Sequence, residues 1–344
     1  MLDGYSVNAT AAKIRTIYGT MFTAENYHEL MNRQSVPDAA EYLAHTARFK
    51  DAFKEVDPNT IHRGYLEELL YRENFRTYMR LCRFQGLDKK PFYDFLIRKR
   101  EVEIILSVIN NINSSLDGSY LRDLPGYLIK HFSIRIMQVS TATTYEELLK
   151  ALRGTKYYKI LVKIPPRDDG SADYTECELR LRSDYFANVL EQADKSFSKA
   201  VSDELKEMIL REIDSRNIIN AYRMKAFFGY SAEEIKRRSL KFSAIGMKRM
   251  ERFYECRDAD QMLEMLSRTA YGRNSVQTDN IEVKINSVKI KYLRDKLVCG
   301  ISAPENLYAF VQLCDIDVAN IVHIIEGIRY GADRSLIESQ LVTL

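Results

Sequence analysis

The sequence has no tryptophan, and its 344 residues include only 14 glycines and seven prolines. Sheet-rich folds consume glycine and proline at every turn, so this scarcity argues against them and for long helices. Cysteine is also sparse. Cys82, Cys177, Cys256, Cys299 and Cys314 are odd in number, and no pair has C-x-x-C spacing. That excludes a disulfide framework and leads us to expect buried free thiols in a reducing compartment. No run of 18 or more apolar residues occurs, so the chain is not expected to span a bilayer by itself. The opening Met1-Leu2-Asp3-Gly4-Tyr5 lacks the basic and apolar stretches of a signal peptide. Neither sign of charge dominates. The 51 basic and 48 acidic residues are interspersed, without the basic block that marks a nucleic-acid partner.

Motifs for catalysis are missing as well. There is no G-x-x-x-x-G-K-[ST], G-x-G-x-x-G or G-x-S-x-G. The five histidines, His28, His45, His62, His131 and His323, stand apart, and His28-Glu29 is followed by Asn32 where H-E-x-x-H needs histidine. No local spacing supplies the three or four convergent ligands of a zinc site. We therefore expect no catalytic residues, no metal and no cofactor.

What is present is a long internal repeat. Leu-x-x-Thr occurs at Leu43–Thr46, Leu152–Thr155 and Leu266–Thr269, each followed by an aromatic: Phe49, Tyr157 and Tyr271. An acidic-apolar-acidic triplet occurs at Glu101-Val-Glu103, Glu212-Ile-Asp214 and Asp315-Ile-Asp317. The two landmarks alternate with a shared period of roughly 110 residues, the kind of regularity that repeat architectures leave in sequence. Three units follow: 1–115, 116–228 and 229–344.

Helical spacing dominates these units. Ile321, Ile324, Ile325 and Ile328 fall at i, i+3, i+4 and i+7. Asp317 and Asn320 continue that stripe toward the helix start. Asp214, Asn217, Ile218 and Ala221 repeat the pattern one unit earlier. A polar group on an apolar face needs a partner. Two readings remain open: local pairing or capping between packed helices, or the wall of a central socket that meets another subunit. On the second reading Glu101, Glu103, Glu212, Asp214, Asn217, Asp315, Asp317 and Asn320 are its candidates. Ala40, Leu43, Ala44 and Ala47 have helical spacing, and Leu66, Leu69 and Leu70 open another helix. Asp57-Pro58-Asn59 marks a turn, and Ser231-Ala-Glu-Glu234 predicts a capping box. Gly86, Gly229 and Gly331 suit helix ends. The segment 159–182 is the exception: Lys159–Ile164 is β-prone, Pro165-Pro166 interrupt it, and Arg167–Gly170 reads as a turn. A short hairpin or a loop is expected there.

The repeat resembles the C subunit family of V/A-type rotary ATPases, equivalent to the d subunit of the eukaryotic vacuolar enzyme. The residues that carry the resemblance are Tyr5–Ala9, Ala12–Arg15, Leu30, Ser35-Val36, Tyr42–Phe49, Ile61–Leu66, Glu212–Ile218 and Asp317–Ile321. Two departures are the missing asparagine in the first unit's triplet and the Pro165–Asp173 loop. The resemblance implies an all-α funnel with pseudo-threefold symmetry. It implies a non-catalytic adaptor, a monomer within a hetero-oligomeric complex, that passes torque between the central shaft subunits and the membrane rotor ring. Such a protein would lie on the cytoplasmic face of the membrane and touch it only through the ring. From the residues alone, a generic helical scaffold that docks other proteins is the alternative.

Overall fold

A computed structural model describes residues 4–54, 56–84, 87–114, 129–273, 275–300 and 302–343. Among the described residues every regular element is a helix. Six are long and come in three consecutive pairs: α1 (Arg63–Phe84) and α2 (Phe95–Ser114), α3 (Tyr174–Ser196) and α4 (Lys199–Phe228), α5 (Ile281–Cys299) and α6 (Ala303–Tyr330). Short helices precede each pair, at 24–31 and 36–45, at 136–140, 145–151 and 156–161, and at 232–237, 247–254 and 259–267. An N-terminal helix, Gly4–Tyr18, and a C-terminal one, Arg334–Gln340, lie at the two ends.

Side-chain caps set many of these boundaries. Thr23, Ser35, Thr144, Thr155, Asp173, Ser231, Asp258 and Asn280 each accept a backbone N–H from the first turn of the helix they open, satisfying donors that have no intrahelical acceptor. The capping box at Ser231 and Glu234 forms as predicted. The two longest helices, α4 and α6, end on Gly229 and Gly331 at φ +61° and +62°, a left-handed conformation that glycine adopts without strain. Gly86 lies outside the described residues.

The three Leu-x-x-Thr landmarks are C-terminal locks. Thr46, Thr155 and Thr269 each donate a hydroxyl to the carbonyl of their leucine at 2.7 Å. The leucines themselves are buried. Each of these carbonyls also accepts the backbone N–H of the same threonine, at 2.9–3.1 Å, so the hydroxyl is a second donor that fills the remaining lone pair at the helix end.

The expected hairpin does not form. Lys156–Leu161 is a helix capped by Thr155, and Tyr157 and Leu161 are its buried residues. Burial of that i, i+4 pair outweighs the strand preference of the isoleucine and valine, which is strongly dependent on context. The prolines fall beyond the helix end and interrupt nothing. Thr175–Arg182 belongs to α3, with Cys177, Leu181 and Tyr185 buried along one face. The turn is present: Gly170 N–H donates to Arg167 O at 2.9 Å, with Gly170 at φ +78°. Four of the cysteines are buried thiols, whereas Cys299, at the end of α5, is exposed.

Helix α6 is long and apolar enough to cross a membrane by length and composition, yet most of it is buried inside the protein. It is the core strut, packed against α1, α4, α5 and the N-terminal helix. The cores do not respect the sequence boundaries between units. One joins Ile218 and Ala221 of α4 to Ile235, Met250, Met262 and Leu266 of the next short helices. Another joins Val318, Ile321 and Ile324 of α6 to Leu30, Leu43 and Phe49 near the N-terminus. Arg63 of α1 also pairs with Glu326 of α6 at 2.8 Å, and Arg334 donates to Asn32 at 2.7 Å. The last third of the chain is thereby fastened to the first.

Candidate functional site

The polar groups singled out in the sequence lie mostly in the interior, and the structure sorts them into two sets. The first set holds carboxylates that receive a tyrosine from another segment. Glu101 on α2 accepts the Tyr157 hydroxyl at 2.6 Å and the Ser133 backbone N–H. Asp214 on α4 accepts the Tyr271 hydroxyl at 2.7 Å and the Ala244 and Ile245 N–H groups at 2.9 and 3.2 Å. Asp317 on α6 accepts the Tyr27 hydroxyl at 2.5 Å. Tyr157 and Tyr271 follow their leucines by five residues. The residue at that offset in the first unit is Arg48, whose positive charge acts on Asp317, while Tyr27 supplies the hydroxyl.

Asn217 and Asn320, one turn further along α4 and α6, clamp backbone in the same way. Asn217 donates to Leu240 O and accepts from Leu240 N, both at 3.0 Å. Asn320 does so with Val342 at 2.9 and 3.0 Å. A single amide satisfies both polar atoms of a loop residue inside the core, as buried backbone requires.

These roles shift the alignment read from the sequence. By contacts, Glu101 is the counterpart of Asp214 and Asp317. Lys99 therefore stands where the other helices carry Glu212 and Asp315, and Ile104 where they carry asparagine. Acidic letters two residues apart look alike in sequence; only the partners distinguish them.

That shift reveals the second set, an ionic hub where α2, α4 and α6 meet. Lys99 donates to Asp315 at 2.5 Å. Glu212 accepts from the Tyr308 hydroxyl at 2.6 Å and from Gln312 Nε2 at 2.7 Å, and Lys289 of α5 donates to Gln312 Oε1 at 3.0 Å. Burial alone would push the Glu212 carboxyl up, but Lys99 and Lys289 outweigh it and hold it below the usual range. Burial likewise opposes the charge on Lys99, and the carboxylates of Asp315, Glu212 and Glu103 prevail and raise its pKa. Burial pushes the Asp315 carboxyl up, partly offset by Lys99. Glu103 is half-buried, and Arg100 reaches both it, at 3.6 Å, and Glu68, at 2.6 Å.

A narrow cleft opens beside the hub between α1, α2 and α6, lined by Tyr71, Lys99, Arg100, Glu103, Phe132 and Asp315 among others. Of the eight candidates, Glu103 and Asp315 face this cleft. Glu101, Glu212, Asp214, Asn217, Asp317 and Asn320 are each less than a tenth exposed and engage neighbouring segments. Lys99, Tyr27, Arg48, Lys289 and Gln312 were not singled out by sequence. Only Arg48 had a local signal, its fixed offset from Leu43. No group of three or more His, Cys, Asp or Glu residues suited to a metal occurs among the described residues.

Long paired helices, interlocked through carboxylate–tyrosine bonds around a buried ionic hub, define an all-helical protein whose interior polar groups join one segment to the next. The sequence profile of the ATP synthase (C/AC39) subunit family matches residues 10–340, and the chain belongs to that family. It is 25% identical to the C subunit of the A-type ATP synthase of Desulfurococcus sp. (strain SY), covering 86% of this chain and 78% of that one. It is 25% identical to the corresponding A-type ATP synthase protein of Methanosphaera stadtmanae, covering 84% and 72%. With that of Archaeoglobus fulgidus the identity is 22%, over 97% of this chain and 95% of the other.

Proposed function

We propose that this chain is the non-catalytic central-stalk adaptor of a V/A-type rotary ATPase, passing torque between the central shaft and the membrane rotor ring. In this reading the three sequence units, 1–115, 116–228 and 229–344, stand around a common axis as a funnel. The protein works as a monomer within the larger complex. It lies on the cytoplasmic face of the membrane and meets the bilayer only through the ring.

One observation carries the reading. The carboxylate–tyrosine bonds run from each long-helix pair to the next segment in a cycle: Glu101 to Tyr157 on a short helix, Asp214 to Tyr271 in the turn after a short helix, and Asp317 back to Tyr27 near the N-terminus. A cyclic order of joints, with the last segment fastened to the first, has no free end. Torque applied to one helix is shared by all, because close-packed interiors transmit strain. The cleft-facing Glu103 and Asp315, with Lys99 and Arg100, are the charged residues we assign to the socket that takes the shaft. Mixed charge suits a detachable polar contact.

The test is binding of the purified chain to a shaft subunit and to a detergent-solubilised ring, alongside an ATPase assay. The adaptor binds both and hydrolyses no ATP. Turnover by the isolated chain would contradict the non-catalytic reading. Binding to neither partner would favour the alternative, a scaffold that docks other proteins.

A further inference from the structure

A second pocket, away from the hub, collects arginines. It lies between α3 and α4 and the loop after the helix at 232–237, with about 200 Å³ of enclosed space. Arg182, Arg216, Arg223 and Arg238 line it, together with Glu178 and Phe228. Carboxylates do not balance these guanidiniums. Glu178 bonds Arg182 at 2.7 Å but stands 3.8 Å from Arg216, beyond hydrogen-bond reach. Arg223 pairs with Glu282. Arg238 lies over the Tyr230 ring at 5.0 Å. Two further carboxylates act on Arg216 through space, Glu212 and Glu103; Glu212 is occupied by Tyr308 and Gln312, and Glu103 is paired with Arg100.

Arg216 is the least satisfied of the four. Its Nε is sealed from solvent and has no hydrogen-bond partner. Burial and the neighbouring Arg182 both disfavour its charge. A guanidinium fork left open beside a second cation is complementary to a multiply charged oxyanion, which can bridge several forks at once.

We propose that this pocket is a binding site for a phosphate group, with Arg216 and Arg182 as its inner contacts and Arg223 and Arg238 as its outer ones. The phosphate could be carried by a small soluble anion or by a lipid headgroup; the recognition chemistry is shared. The site is independent of the adaptor role, and its test needs neither shaft nor ring.

Titration calorimetry of the full chain with sodium pyrophosphate, against sodium sulfate at matched ionic strength, reads the site directly. Saturable one-site binding is expected for pyrophosphate. Arg216→Gln should weaken it about tenfold, the loss of one charge-assisted contact. Arg223→Gln alters an exposed residue outside the core and should weaken it in the same direction, which keeps the test valid if the buried variant folds poorly. Sedimentation with vesicles of phosphatidylglycerol and phosphatidylcholine distinguishes the source: co-sedimentation that pyrophosphate reverses assigns the site to a headgroup, and its absence beside saturable pyrophosphate binding assigns it to a soluble anion. No saturable pyrophosphate binding by the folded wild type, or equal affinity in all three proteins, overturns the proposal.

Discussion

Tyr271 donates its hydroxyl to Asp214 at 2.7 Å across 57 residues of chain, tying the third sequence unit to a carboxylate that has no exposed surface. Removing the hydroxyl leaves Asp214 Oδ2 with its two backbone donors and keeps the carboxylate buried. Tyr271→Phe should therefore cost about 1–3 kcal/mol, the usual penalty for stripping a partner from a buried polar group. Tyr157→Phe and Tyr27→Phe should fall in the same range, since Glu101 and Asp317 are held alike. Urea unfolding of the three variants checks this. Near-zero effects would mean that the joints are incidental to stability.

The Asp317 joint carries a pH dependence. Burial pushes its carboxyl up to about 6, against the lowering pull of Tyr27, Arg48 and the Phe22 backbone. An unfolded aspartate titrates near ~4, so between roughly pH 4 and 6 the native protein binds more protons than the unfolded chain. Stability from this group then falls as pH rises through that window. The cost is full above about pH 6 and amounts to at most about 3 kcal/mol. Asp317→Asn removes the titration while keeping an oxygen to accept from Tyr27. Measured against that variant, the wild type should gain stability as pH drops from 7 to 5. A difference that stays flat with pH would show that Asp317 titrates normally.

Two glycines should fail for opposite reasons. Gly300 follows α5 with an ordinary φ of −67°, but a Cβ there would run into the Lys296 carbonyl and lie 2.7 Å from Asn306 Oδ1. Gly331 has open space around it and a φ of +62°. Gly300→Ala is an overpacking change costing about 1–3 kcal/mol, and Gly331→Ala a backbone one costing about 1–2 kcal/mol. Thermal unfolding measures both. Asparagine, which tolerates the left-handed region, should rescue position 331 and not position 300.

Particular residues show how far the sequence could be read. Leu-x-x-Thr was legible as a repeat landmark though its role was not read, and its spacing is fixed because the contact is local: each threonine bonds the carbonyl three residues back. The caps at Ser231 and Gly229 were legible for the same reason. The segment 159–164 was not, because its strand-prone residues are overruled by burial of Tyr157 and Leu161 against distant helices. The first acidic triplet was misaligned by two residues because what distinguishes Glu101 from Lys99 is a tyrosine 56 residues away and an aspartate 216 away. Partners at that range leave no trace in local spacing.

Lys99 and Asp315 set the largest energetic stake in the hub. They come from α2 and α6, and their side chains are 14% and 29% exposed. An exposed ion pair is worth less than about 1 kcal/mol. Removing one member of a desolvated pair costs about 3–5 kcal/mol because the other charge stays behind unpaired. Lys99→Met should approach the larger figure, since Asp315 and Glu212 both lose the ammonium that opposes them. Adding Asp315→Leu should restore much of that loss by replacing the pair with apolar contact. The double-mutant cycle, by urea unfolding, then yields a coupling of several kcal/mol. A single-variant cost under about 1 kcal/mol with no coupling would place the pair in effectively aqueous surroundings. It would then hold α2 to α6 too weakly to serve as a rigid joint.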